Sequence, residues 1–215
     1  MLSPNRTSVG DDLFNRCIGC ARVAKAVCPA RKWGPTLNIT TGFVGRKQAL
    51  IELFVAAFTA SEGPKEGALV GDLVRGLLTE TPAQDIRVFC AEAAGNPIGA
   101  AIFTRLTYSE DPHLVFLLSP MAVASESQGQ GIGQALLTRA LQMLRSEGIQ
   151  IAITYGDPAF YGRVGFRLLT EEQARAPLPL SLPHGWIGKS LNEEQMPDLH
   201  GPSICVSALN RSDVW

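Results

Sequence analysis

The chain has 215 residues, of which 46% are hydrophobic and 18% charged, and its formal net charge is −1. One domain with a full core is the default at that length, and so even a charge balance gives no argument for attraction to nucleic acid or to a membrane surface. No apolar run approaches the length of a membrane span, no apolar stretch of a secretory signal stands near the start, and five cysteines, an odd number, fit reduced thiols; the expectation is a cytoplasmic protein.

Residues 1–36 stand apart from the rest. They carry six Lys/Arg (Arg6, Arg16, Arg22, Lys25, Arg31, Lys32) against Asp11 and Asp12, and they hold Cys17, Cys20 and Cys28. Cys17-Ile-Gly-Cys20 has the spacing of a zinc knuckle and Cys28 could add a third thiolate. No fourth Cys or His is near, so a closed site is incomplete and no metal is expected. The segment reads as a basic N-terminal extension of unknown role, and residues 37–215 as the working domain.

Within that domain the periodicity predicts a mixed α/β order. Gly45 to Phe58 is expected to be helical, with Leu50, Leu53, Phe54, Ala57 and Phe58 on one side. A second helix is expected over 67–79, with Leu69, Val70, Leu73 and Leu77 on one face, ended by Thr81-Pro82. Ile86 to Ala91 and Ile98 to Leu106 read as a hairpin about a turn at Gly95-Asn96-Pro97. After a polar loop, Leu114 to Val123 reads as a long strand. Pro120 within it cannot donate to a ladder, so a bulge or a splay is expected there. A helix over 134–147 buries Leu136, Leu137, Ala140, Leu141 and Leu144, with Gly148 as its left-handed stop. Ile149 to Thr154 is a buried strand, Asp157-Pro158 caps a short helix, and Phe166 to Leu169 is a further strand. The proline-rich tail leads to a last strand over 203–209. Cys90 and Cys205 are expected in strands as core residues.

The chemistry concentrates at Gln128-Gly129-Gln130-Gly131-Ile132-Gly133, between the long strand and the helix after it. A glycine-rich turn into a helix exposes backbone N–H groups and the helix N-terminus, which suits an anion without a lysine. No Gly-Lys-Ser/Thr follows, which disfavours a nucleoside triphosphatase. The glycines run Gly-x-Gly-x-Gly with no repeated βαβ pattern before them, which disfavours a dinucleotide fold. Downstream stands Gly156-Asp157-Pro158-Ala159-Phe160-Tyr161-Gly162-Arg163-Val164-Gly165-Phe166.

Gln128 to Gly133 matches the pyrophosphate loop, Arg/Gln-x-x-Gly-x-Gly/Ala, of the GNAT acyl-CoA N-acyltransferases, and Tyr161 four residues before Gly165-Phe166 matches their second marker. From about Leu37 to the end the chain resembles that family; Ser119 to Val123 and Gly156 to Pro158 resemble its YhbS-like bacterial branch. The resemblance implies an α/β fold with a mixed, mostly antiparallel central sheet, splayed at the pyrophosphate-loop strand and flanked by helices. It implies an acetyl-CoA-dependent N-acetyltransferase acting on a small-molecule or peptide amine by direct attack in a ternary complex. The N–H groups of Gly129, Gln130, Gly131, Ile132, Gly133 and Gln134, with Gln128, would take the pyrophosphate. Met121, Ala122 and Val123 would pair with the pantetheine amides and polarise the thioester carbonyl, Phe160 would face the arm, and Tyr161 would protonate the leaving sulfur.

Two places depart from the family pattern. Thr154 stands where many members have asparagine, and Leu114 to Leu118 has no carboxylate where many place a base. Glu110, Asp111, His113 and Glu126 are the nearest acids and bases, each read more readily as an exposed loop residue, and Ser119 could order a water; no base is named. The missing base keeps open an acyl-CoA-binding sensor without catalysis. His184 and Trp186 could line the acceptor pocket, although a surface histidine and a half-buried tryptophan are the plainer readings.

Overall fold

The computed structural model describes residues 37–192 and 195–215. The N-terminal extension, with Cys17, Cys20 and Cys28, lies outside the described residues. In chain order the elements are β1 (Asn38–Thr41), α1 (Lys47–Glu62), α2 (Pro64–Glu80), β2 (Ile86–Ala93), β3 (Asn96–Tyr108), β4 (Val115–Val123), α3 (Ile132–Ser146), β5 (Ile151–Tyr155), α4 (Pro158–Tyr161), β6 (Arg167–Leu168), β7 (Trp186–Ser190) and β8 (Ser203–Ile204). The strands make one sheet in the order β1-β2-β3-β4-β5-β7-β6, with β8 joined to the far end of β3. Every pairing is antiparallel except β4 with β5.

The alternation of side chains along the strands divides the core in two. One face holds Val88, Cys90, Ile102, Val115 and Leu117 under α1 and α2; the other holds Phe89, Phe103, Phe116 and Leu118 under α3. All five α1 residues expected to face inward are buried, as are Val70, Leu73 and Leu77 of α2, while Leu69 is only partly covered. The two helices meet closely because α2 carries glycines at the contact. A Cβ on Gly67 would stand 2.0 Å from Thr59 Oγ1 and 2.9 Å from the Val55 carbonyl, and one on Gly71 would stand 2.5 Å from Val55 Cγ2.

The expected anomaly at Pro120 is a bulge. Ala101 pairs with Met121 and Phe103 with Leu118, so two residues of β4, Ser119 and Pro120, oppose the single Ile102 of β3. The parallel pairing with β5 runs from Val115↔Ile151 only to Leu118↔Thr154, and the two strands part beyond it. The extra residue also reverses the phase of β4. Met121 and Val123 turn onto the α3 face, where strict alternation from Leu117 would have aimed them at α1.

Some boundaries differ from the sequence expectation. The hairpin turn is Ala94-Gly95, with φ of 50° and 82°, which is the two-residue turn whose twist suits a hairpin; Asn96 and Pro97 therefore belong to β3. Helix α3 begins at Ile132, earlier than expected. It ends in a Schellman motif: Gly148 N–H donates to the Arg145 carbonyl and Ile149 N–H to the Leu144 carbonyl, both at 3.0 Å, so Ile149 belongs to the cap and β5 starts at Ile151. The tail strand shortens to Ser203–Ile204 and is followed by a 3-10 turn at Ser207–Leu209, so Cys205 lies beyond it, half-buried, whereas Cys90 is in β2 and fully buried. Strands β1 and β7 were not expected. The signal of β7 is broken by Gly188, whose missing Cβ leaves room for Leu169, just after β6: a Cβ there would stand 2.6 Å from Leu169 Cδ1.

Gly67→Ala is expected to force α1 and α2 apart and to cost about 1–3 kcal/mol, the usual size of an overpacking defect. Thermal or urea unfolding measures it, and an unchanged midpoint would contradict this reading of the helix contact.

Candidate functional site

The site lies where β4 and β5 separate. Thr154, fully buried, marks the fork: its Oγ1 donates to the Leu118 carbonyl at 2.9 Å. The residue that departs from the family pattern thus clasps the two strands at the last point where they pair. Past the fork, β4 keeps only β3 as a partner. The Ala124 N–H donates to the Ile98 carbonyl of β3, so by alternation the N–H and carbonyl of Val123 point the other way, into the gap. The Val123 carbonyl is held there by Gln128 Nε2 at 3.0 Å. The N–H groups of Met121 and Val123 have the same outward sense, whereas Ala122 faces β3.

The glycine loop follows a 3-10 turn, Ser125–Ser127, and its parts have separate tasks. Gly129 and Gly131 have φ of 71° and 81° with open space at the Cβ position, so left-handed backbone is what requires glycine there. Gly133 has no such φ. A Cβ there would meet Met121 Cε and Phe160 Cζ, each at 3.2 Å, so its smallness lets α3 settle against β4 and α4. The first turn of α3 is anchored by the Ala135 N–H on the Gly131 carbonyl, which leaves the N–H groups of Ile132, Gly133 and Gln134 without an intrahelical acceptor. The side chains of Gln128 and Gln130 brace the loop itself, on the carbonyls of Val123 and Glu126. What Gln130 offers an anion is therefore its backbone N–H.

Helix α4 supplies the aromatic wall. Asp157 caps it, accepting from the Ala159 N–H at 2.8 Å. Tyr161 is 1% exposed, with Phe160 and Phe166 edge-on to its ring at centroid distances of 5.0 and 5.7 Å. Gly165, at φ 93°, turns the chain so that the Phe166 N–H returns to the Tyr161 carbonyl at 3.3 Å. The spacing of the tyrosine from the Gly-Phe pair is thus the length of one short helix and its reversal. Tyr161, Phe160, Met121, Val123 and Ile132 share the α3-side core.

Other candidates separate from this site. Glu110, Asp111 and His113 precede β4, whose start at Val115 is already roughly 20 Å from Met121 at the rise of an extended strand. Asp111 is a structural clip: its carboxylate, with a side chain only 4% exposed, accepts from the His113 N–H at 2.9 Å and the His200 N–H at 3.2 Å and contacts His113 Nδ1 at 2.6 Å. Burial pushes its carboxyl up, but these bonds outweigh it and hold it below the ordinary carboxylate value. Glu126 is exposed on the 3-10 turn. His184 is exposed beside the end of β5, whereas Trp186 is fully buried, its Nε1 donating to the Ala174 carbonyl at 2.7 Å and its ring against Trp215, so it belongs to the core and not to a pocket. A cleft of about 230 Å³, lined by Thr81, Asp85, Arg105, Ile204 and Cys205, lies at the end where β4 begins, away from the fork. Among the described residues no group of His, Cys, Asp and Glu is arranged to hold a metal, and no helix is long and apolar enough to cross a membrane.

Residues 84–168 match the acetyltransferase (GNAT) domain. The chain is 32% identical over 130 residues to the uncharacterized N-acetyltransferase YjhQ of Escherichia coli K12, covering 58% of this chain and 72% of that one. It is 29% identical over 119 residues to YhbS of the same strain, covering 55% and 68%. Among solved structures, that of E. coli YhbS in complex with CoA superposes with a TM-score of 0.66 at 22% identity, over 85% of this chain and 97% of that one. A GNAT acetyltransferase of Brucella melitensis in complex with acetyl-CoA gives 0.59 at 22% identity, over 80% and 97%. The chain belongs to the GNAT family of N-acetyltransferases.

Two expected outcomes test the site's anatomy. In Gly131→Val a branched side chain must adopt φ near +81°, which costs roughly 1–2 kcal/mol; acetyl-CoA affinity by calorimetry should fall about tenfold or more while the fold is kept. Unchanged affinity would remove the phosphates from this loop. For the clip, a lowered carboxyl pKa contributes stability above the ordinary carboxylate range that is lost as pH falls through the folded value. Asp111→Asn should therefore flatten the dependence of urea stability on pH below about 4, and equal slopes for the two proteins would contradict it.

Proposed function

We propose that residues 37–215 form an acetyltransferase domain that holds acetyl-CoA across the β4–β5 fork and passes its acetyl group directly to a primary amine in a ternary complex. The observation that carries the reading is the meeting of three features at one place. The parallel pairing stops at Leu118↔Thr154, the glycine loop and the start of α3 present N–H groups just beyond it, and Tyr161 packs on the same face. The pyrophosphate sits on the N–H groups of Gly129 to Gln134, where a helix start favours negative charge. The pantetheine arm fills the gap as a strand would, on the outward N–H groups of Met121 and Val123, with Ala122 setting their register against β3 and Phe160 beside the arm. One of those N–H groups polarises the thioester carbonyl.

The amine attacks the carbonyl carbon, the tetrahedral intermediate collapses, and the sulfur leaves with the phenolic proton of Tyr161. The hydroxyl lies out of bulk water, and a proton donor held beside a leaving thiolate is the form of acid catalysis the step needs. No metal takes part in this reading. Neither Phe116 nor Leu118 can act as a base on β4, and that absence favours a second reading, an acyl-CoA sensor on the same fold.

Calorimetric titration with acetyl-CoA, followed by thiol release across polyamines, aminoglycosides, amino-acid amides and short peptides, tests the proposal. Binding with turnover on one class supports it, binding without turnover favours the sensor, and no binding would overturn both. Tyr161→Phe keeps the ring packing and should lower kcat by about 10²–10⁴ with acetyl-CoA affinity kept. An unchanged kcat would remove Tyr161 from the chemistry.

A further inference from the structure

With Tyr161 as the acid of the transfer, its hydroxyl has to be held at the leaving sulfur, and the element that carries it is poorly suited to hold itself. Helix α4 has four residues, a single turn, and so short a helix depends on contacts from outside. It runs into a 3-10 turn, Gly162–Val164, and the left-handed Gly165. The N–H groups of Phe160 and Tyr161 both donate to the Asp157 carbonyl at 3.1 Å, that of Gly165 to the Gly162 carbonyl at 3.1 Å, and that of Phe166 to the Tyr161 carbonyl at 3.3 Å. These bonds shape the segment without fixing it to the sheet. The two rings edge-on to Tyr161, Phe160 and Phe166, ride on the same segment and move with it. The strand that follows, β6, is a slight tie: two exposed residues at the edge of the sheet.

Lys189 bridges the segment to the sheet. It is half-buried on β7, opposite Ala152 of β5. Ile187, two residues before it, packs with Tyr161 in the α3-side core, and alternation puts Lys189 on that same face. Its Nζ donates to the Val164 carbonyl at 2.7 Å, a length in the range of charge-assisted bonds. Its stem lies over Gly165, where a Cβ would stand 2.9 Å from Nζ, 3.4 Å from Cε and 3.6 Å from Cδ. The peptide between Val164 and Gly165 is thus gripped on both sides, its carbonyl by Lys189 and its N–H by Gly162. The next N–H, that of Phe166, closes on the carbonyl of Tyr161 itself. Strand β7 in turn pairs with β5 from Ile151↔Ser190 to Tyr155↔Trp186, and β5 is the strand that Thr154 clasps to β4 at the fork. A run of hydrogen bonds therefore leads from the fork through β5 and β7 to the backbone of Tyr161. A lysine on the last carbonyls of a helical turn is a known way to end one; here the turn that it ends carries the acid.

Taking the proposed acetyl transfer as its premise, we propose that Lys189 is a positioning residue of the reaction: its ammonium anchors the turn after Tyr161 to the sheet and so keeps the phenol at the leaving sulfur. It acts through Tyr161 and not on a substrate. Its effect falls on kcat, because the glycine loop and the outward N–H groups of β4 that hold acetyl-CoA in this reading are built from other segments.

The test is a double-mutant cycle in the full chain, read as kcat with the panel amine that the wild-type protein acetylates fastest. Lys189→Met keeps a stem over Gly165 and removes the donor. It should lower kcat about 10- to 100-fold, the scale of a misplaced catalytic group, with acetyl-CoA affinity by calorimetry kept to within about threefold. In the Tyr161→Phe background the same substitution should cost less than about twofold, because the group it positions is gone. Lys189→Arg, which keeps a charged donor, should recover part of the loss. The same loss in both backgrounds, or no loss in either, would overturn the role of Lys189 and leave the acetyl transfer standing. Tyr161→Phe turning over as fast as the wild-type protein, or acetyl-CoA bound with no amine acetylated, would instead overturn the premise, and the role of Lys189 with it.

Discussion

The architecture of the site depends on one extra residue. Where Ser119 and Pro120 oppose Ile102 alone, β4 gains twist and changes phase, and the parallel ladder with β5 ends one residue earlier, at Leu118. A sheet that stayed paired to Val123 would satisfy its own backbone and offer a ligand nothing. By parting, it leaves outward-facing peptide groups in a gap walled by buried side chains, where a hydrogen bond is stronger than in water and an unpaired group is costly. A ligand that runs along such a gap as a strand would is the natural partner for those groups. Thr154 defines where the gap begins, because its hydroxyl closes the last paired carbonyl.

Around that fork the glycines divide a task that looks uniform in the primary structure. Gly129 and Gly131 shape the loop through left-handed backbone, and Gly133 brings α3 into contact with Met121 and Phe160. The contact of Gly133 with Met121 and Phe160 connects the loop to the aromatic wall, since Phe160 lies edge-on to Tyr161. The loop is braced by its own glutamines on the carbonyls of Val123 and Glu126, and a braced loop leaves less ordering to be done on binding.

The opposite face has a different character. The α1–α2 pair is drawn together by Gly67 and Gly71 and turns sharply at Gly63 and Pro64. The apolar run of β4 from Val115 to Leu118 is used for the core on both faces.

Local signals in the chain were enough for the helices, the glycine loop, the cap at Asp157 and the anomaly at Pro120, because periodicity, positive-φ turns and a missing N–H act over a few neighbouring residues. They were enough for the family as well, since Gln128–Gly133 and Tyr161 with Gly165-Phe166 are short and contiguous. Long-range pairing was not written there. Strands as short as β1 and as interrupted as β7 are stabilised by their neighbours' edges, not by their own propensity, and Trp186 reads most plainly as half-buried until Trp215 and the Ala174 carbonyl close over it. The separation of Asp111 and His113 from the fork and the clasp at Thr154 likewise follow from which segments far apart in sequence pack together, and only the tertiary structure decides that.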